Sequence, residues 1–290
     1  MNVDAIWNND LGKSLISSSN IHSDIDNLLD VIECARKDGA LTYHNYSIYD
    51  EEVGNTTFSD WLYNGEHVPE CADAKRELSK YLNKSTILEV DEYDYNLKEA
   101  ENPTDKKSLT ICFSFSRKCK RFVCEPNQYW EAKQEYLSEN ITKDKFIEEA
   151  IGCFPNLFFH ENAAVSINTL NTDFRIIRPI LVKHLHFLNK YKLESTIRLN
   201  GADFRTIAHE IESLYGIECS TQAGRSSTKM LKFDFCNRQT KSSVTLCCEL
   251  HTKPKWDGMD RKNQDRIYFH SGNSEIEDGK ILVVHIGTHA

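Results

Sequence analysis

The 290-residue sequence contains no apolar run near the roughly 18 to 20 residues that a membrane-spanning helix requires. Its opening, MNVDAIWNNDLGKS, lacks the basic start and apolar stretch of a secretory signal. Those two absences predict a cytoplasmic chain with no membrane partner. Glycine and proline are sparse, at 12 and 6 residues, which excludes collagen-like and low-complexity architectures. With 40% hydrophobic residues the chain has the apolar content to bury a core. Cysteine is plentiful, at ten residues, but no Cys-X-X-Cys pair occurs. The nearest approach to metal-ligand spacing, Cys112, Cys119 and Cys124, has no histidine pair beside it. Irregular spacing in an intracellular chain predicts reduced, mostly buried thiols, and neither a metal nor a cofactor is expected.

Positive charge is missing from the first part of the chain and gathers near its end. Residues 1–110 hold ten Lys and Arg against 22 Asp and Glu, whereas residues 219–272 hold ten against five. The acidic part repels nucleic acid and suits a basic protein partner, while the basic part suits a polyanion. A solvated acidic face beside a chance cluster of lysines explains the same numbers without a partner.

Periodicity predicts an α+β fold. SDIDNLLDVIECARKDG carries Ile25, Leu28, Leu29, Ile32 and Ala35 at helical spacing, with Ser23 as N-cap and Gly39 past the end. FSDWLYNG and ADAKRELSKYLNK read as helices, EVDEYDYNLKEAENPTDKK as an exposed acidic loop, and SLTICFSF and KRFVCEP as strands. NQYWEAKQEYLS, KDKFIEEAIGCF, TDFRIIRPILVKHLHFLNKY and DFRTIAHEIESLYG are helical, with a strand-like LFFH among them. The rest reads as an antiparallel meander: GIECS, MLKFDF, VTLCCELHTK, DRIYFH and KILVVHIG. The organisation expected is an acidic mixed α/β region over 1–126, a helical middle over 127–200, and a helix plus twisted antiparallel sheet over 201–290.

Two motifs fail on inspection. LGKS, Leu11 to Ser14, ends like a phosphate-binding loop, but the required glycine five positions before Gly12 is Trp7. His209 and Glu210 begin an HE pair, yet Ser213 stands where a zinc protease needs its second histidine.

The C-terminal sheet offers the candidate site, because alternation decides which side chains share a face. Val244, Leu246, Cys248 and Leu250 would point inward, leaving Thr245, Cys247, Glu249, His251 and Lys253 on the opposite side. Arg266, Tyr268 and His270 would join them from DRIYFH, and His285 and His289 from the last strand. Lys253 and Arg266 can neutralise a phosphate, while His251, Tyr268, His270 and His285 can move protons to and from its oxygens. The expected activity is metal-independent cleavage of nucleic acid, RNA ahead of DNA. The wet side of an ordinary half-buried sheet is the competing explanation. Asp234, Glu249 and Lys253 leave open a magnesium-dependent DNA nuclease, loosely similar to the PD-(D/E)xK nucleases although His251 occupies that family's lysine position. A non-enzymatic interaction or regulatory subunit is the further alternative.

DRIYFH followed by GKILVVHIGTH, with HTKPK before it, resembles the closing hairpin of the RelE/ParE/HigB class of bacterial toxins. The resemblance spans at most the last 90 or so residues. It implies a toxin-like or phage-defence effector of bacterial type, with Lys253 and Lys255 contacting phosphate, Arg266 as the transition-state cation, and His285 or His289 as acid or base. RPILVKH has the Arg178-to-His184 separation of the HEPN ribonucleases, which it weakly resembles, with Pro179 where that family prefers a polar residue.

Overall fold

The computed structural model describes residues 1–16, 18–53, 55–64, 69–104, 108–115, 119–195, 203–222, 231–237, 240–256 and 264–289. The chain is α+β and divides into two compact units, Met1–Tyr136 and Leu137–Ala290. No described helix is long and apolar enough to cross a membrane, and all ten cysteines are free.

Unit one runs through β1 (Asn2–Trp7), α1 (Leu11–Ile16), α2 (Ile21–Lys37), β2 (Leu41–His44), the ribbon β3 (Glu52–Val53) and β4 (Thr56–Thr57), α3 (Phe58–Tyr63) and α4 (Pro69–Asn83). It continues with β5 (Thr86–Ile87), α5 (Val90–Glu101), β6 (Ser108–Phe113) and β7 (Phe122–Val123), after which α6 (Pro126–Asn140) begins. Its sheet has the order β5-β2-β1-β6-β7 with every pairing parallel. Counted along the chain this is the doubly wound order 3-2-1-4-5. The centre explains itself: Val3, Ala5, Ile6 and Trp7 on β1 and Leu109 to Phe113 on β6 are buried, as strands covered on both faces require.

Two expectations fail here. The acidic stretch read as a loop is helix α5, which buries Tyr93 and Ala100, and the Tyr93 hydroxyl donates to Trp7 O while accepting from Asn9 N, both at 3.0 Å. Asp91, Glu92 and Asp94 are exposed, Glu99 is buried against Thr104, and this density of carboxylates masks the spacing of Tyr93, Leu97 and Ala100. Helix α2 buries Val31 rather than Leu29 and begins at Ile21, with Asn20 rather than Ser23 as N-cap. Gly12 of the rejected phosphate motif serves packing, since a Cβ there would lie 2.5 Å from Phe58 Cδ2.

Unit two contains α7 (Phe146–Ile151), β8 (Leu157–Phe159), α8 (Glu161–Ser166), α9 (Phe174–Glu194), α10 (Phe204–Tyr215), β9 (Cys219–Thr221), β10 (Lys232–Cys236), β11 (Ser243–Cys247), β12 (Leu250–Thr252), β13 (Arg266–His270) and β14 (Ile281–Gly287). Its main sheet has the order β8-β14-β13-β12-β9, antiparallel except that β8 joins β14 in parallel. The meander expected from sequence is therefore broken. VTLCCELHTK forms two strands in two different sheets: β11 pairs with β10, while β12 pairs with β13 and β9.

That break decides the environment of the candidate face. Leu231 and Phe235, with Phe233, Val244 and Leu246, pack onto Tyr268, Leu282 and Val284, so the β10–β11 ribbon covers Tyr268, a residue of the face expected to be wet. Every residue of β14 is buried. Its C-terminal end is held by close approach: a Cβ on Gly287 would lie 2.2 Å from Thr169 Oγ1 and 2.5 Å from Ser166 O.

Candidate functional site

Register brings four polar side chains into one row across four strands. His251 on β12 lies opposite Ser220 on β9 and Tyr268 on β13, and Tyr268 lies opposite His285 on β14. Ring centroids are 4.8 Å apart for His251 and Tyr268, 5.5 Å for Tyr268 and His285, and 6.4 Å for Tyr268 and His289. The pairing on which the sequence reading depended therefore exists for His251, Tyr268 and His285.

The row is covered, which corrects the expectation of a solvent-facing surface. Tyr268 is 0% exposed, His251 3% and His285 9%. Around them Ser220, Gln222, Lys253 and Arg266 are half-buried, and His289 is exposed. Those groups, rather than the three buried rings, form the accessible mouth.

Hydrogen bonds fix the tautomers. His251 Nδ1 lies 3.2 Å from the Glu249 carbonyl oxygen, which can only accept, so the proton sits on Nδ1. The Nε2 lone pair then accepts from Ser220 Oγ at 3.1 Å. His285 Nε2 donates to Thr288 O at 2.8 Å. Gln222 links the deep and exposed ends, accepting from the Tyr268 hydroxyl at 3.4 Å and donating to His289 Nε2 at 3.1 Å.

Burial is the main force on the titration of these rings. It pushes His251 down to about 4, against the pull of the Glu249 carbonyl and with help from the charges of Arg266, Lys253 and His289. His285 is lowered by burial as well, with the Thr288 carbonyl opposing. Both imidazoles are neutral at neutral pH.

The remaining expected residues separate. His270 is not in the row: it lies beyond the register shift after Tyr268, accepts from Gly272 N at 3.1 Å and meets Phe204 edge-on. Lys253 and Lys255 both pair with the Glu218 carboxylate. Arg266 donates from Nη1 to Gln264 O at 3.3 Å, and its buried Nε has no partner among the described residues. It is the cation at the mouth with the weakest protein engagement.

The carboxylate alternative is not assembled as drawn. Asp234 accepts from the Thr245 hydroxyl within the β10–β11 ribbon, Glu249 lies in the break between β11 and β12, and Lys253 is engaged by Glu218. Among the described residues no three His, Cys, Asp or Glu converge as a metal site. Arg178 spends its guanidinium on the carbonyls of Ser138, Glu139 and Ile141, capping the end of α6, and His184 is a buried residue of α9, lowered to about 4 by burial. That pair does not form a ribonuclease site.

Ser220 and Gln222 were not anticipated. Short strand β9 carries no strong alternation of its own, and only its pairing with β12 places Ser220 against His251. Compared with protein-family models, curated proteins and solved structures, the chain matches none.

Proposed function

We propose that unit two is a metal-independent ribonuclease module of a toxin-like or phage-defence effector. The observation that carries this reading is the registered row Ser220, His251, Tyr268 and His285, with Arg266 and His289 at its mouth. A ribose 2′-hydroxyl placed where Ser220 Oγ now meets His251 Nε2 would give up its proton to that lone pair as its oxygen attacks phosphorus. Arg266 neutralises the charge that develops on the phosphoryl oxygens. His289, oriented by the hydrogen bond that its Nε2 accepts from Gln222, protonates the departing 5′-oxygen from Nδ1, leaving a 2′,3′-cyclic phosphate and a 5′-hydroxyl. The accessible acid is thus His289 rather than His285, whose Nε2 hydrogen is committed to Thr288.

The test is cleavage of single-stranded RNA by the purified chain in EDTA, with product ends identified by mass spectrometry. Cyclic phosphate ends, and losses of about a hundredfold or more in Arg266→Ala and His251→Ala, are expected. Cleavage that needs magnesium and DNA would favour the carboxylate alternative, and an unchanged rate in both variants would overturn the assignment.

A second reading rests on the burial itself. With His251 3% and Tyr268 0% exposed, the row also suits a rigid hydrogen-bonded strut beneath a docking surface, with the acidic unit one binding a basic protein. Folding and partner capture unaffected by the same variants, without any RNA cleavage, are the outcome that this reading expects.

A further inference from the structure

A pocket of about 470 Å³ opens in unit two where β8 passes into α8, bordered by β10 and by the 3₁₀ turn Glu277–Gly279. It is separate in its lining from the histidine row. Four aromatic side chains line it: Phe158, Phe159, His160 and Phe235. Phe235 stands nearly perpendicular to two of them, with centroids 6.2 Å from Phe158 at 61° and 5.3 Å from His160 at 69°. The rings therefore form a corner of differently oriented faces rather than a stack.

The polar lining is of one sign. Glu161, Asp234 and Glu277 supply three carboxyl groups, and no Lys or Arg is among the described lining residues. His160 is held at the start of α8, where Asn162 N donates to its Nδ1 at 3.1 Å. Its Nε2 points to Asp234 O at 3.4 Å. Asp234 is oriented by the Thr245 hydroxyl, and Glu277 is presented from two successive left-handed non-glycine residues, at φ 48° for Glu277 and 55° for Asp278. Backbone in that region is sparsely populated and gathers at ligand clamps.

We propose that this pocket binds an organic ammonium group, carried either by a small amine or by a lysine side chain. Ring faces attract a cation within about 6 Å of their centroids, and the attraction grows where water is excluded. Carboxylates at the rim add long-range attraction and select against anions and neutral ligands. A bare metal ion fits poorly, because no three described donors converge and the volume accommodates a group of several heavy atoms. This inference does not depend on the ribonuclease reading.

The test is a titration of the full chain, followed by heteronuclear NMR, with choline and with its neutral isostere 3,3-dimethylbutan-1-ol. Choline is expected to shift amides around His160 and Phe235 saturably and to bind at least about tenfold tighter than the alcohol. The variant Asp234→Asn with Glu277→Gln should lose about tenfold in choline affinity while unfolding at an unchanged denaturant midpoint. Spermidine and a lysine-containing peptide, titrated in parallel, assign the source of the ammonium by whichever saturates at lower concentration. Equal affinity for the alcohol, absence of saturable shifts with all three ammonium ligands, or unchanged choline affinity in the folded double variant would overturn the proposal.

Discussion

His251 lies directly across the β12–β13 pair from Tyr268, with ring centroids 4.8 Å apart and interplanar angle 37°. The two rings are packed as core and hydrogen-bonded as chemistry at the same time. Substitutions must therefore be read for both effects.

Tyr268 separates the two. Tyr268→Phe keeps the buried ring and removes the hydroxyl with its 3.4 Å hydrogen bond to Gln222, a bond worth about 0.5 to 1.5 kcal/mol. Tyr268→Ala empties a fully buried site and should cost about 3 to 5 kcal/mol in urea unfolding. If Tyr268 transmits protons, the Phe variant loses about a hundredfold in RNA cleavage at near-normal stability. A full rate in the Phe variant removes the hydroxyl from the mechanism.

Acid should weaken unit two through its buried histidines. His251 and His184 each fall from an ordinary 6.5 to about 4 on folding, so the unfolded chain binds more protons in that interval. Their stabilising contribution is complete above pH 6.5 and is lost as pH falls toward 4, by up to about 3 kcal/mol each. His184 Nδ1 is buried without a hydrogen-bond partner among the described residues, so His184→Leu should hold or raise stability at pH 7 and flatten the acid limb. Parallel pH profiles for variant and parent would contradict this. Glu218 titrates in a lower window: burial opposes ionisation, but hydrogen bonds from Lys253 and Lys255 outweigh it and bring it to about 2. Its contribution is lost only as pH falls from about 4.5 toward 2.

Glu218 also restrains the basic patch. Glu218→Gln releases Lys253 and Lys255 together, so affinity for single-stranded RNA should rise at low salt. The slope of log K against log salt should steepen by about 1.4, from two further phosphate contacts. Fluorescence anisotropy at several salt concentrations measures it, and an unchanged slope means that neither lysine reaches phosphate.

Gly287 tests the positioning of the last turn. In Gly287→Ala the new methyl meets Thr169 Oγ1 and the Ser166 carbonyl, and a loss of about 1 to 3 kcal/mol is expected in chemical denaturation. Because Gly287 lies two residues before His289, cleavage should fall further than stability explains when compared at matched folded fraction. A variant as stable as the parent would show that the turn gives way freely.

Local periodicity carried much of the fold. Helices α3, α4, α7, α9 and α10 lie where their apolar spacing places them, and the strands LFFH, DRIYFH and KILVVHIG were legible from β-branched and aromatic runs. Strand β1 and helix α5 were not, since β1 is a short apolar run at the start and the carboxylates of α5 hide the buried Tyr93 and Ala100. For the candidate site, alternation correctly grouped His251 with Tyr268 and His285 but extended the group to His270 and Glu249.

Composition and spacing alone determined that the chain is α+β, that its carboxylates crowd the first part, and that His251, Tyr268 and His285 have the parity to share a face. Tertiary structure decided whether that face meets water. Hydrogen-bond pairing between distant strands set the register and brought in Ser220, while the β10–β11 ribbon closed over Tyr268 with Phe235 and Leu231. A period of two fixes which side a residue points to, but only packing fixes what lies on that side.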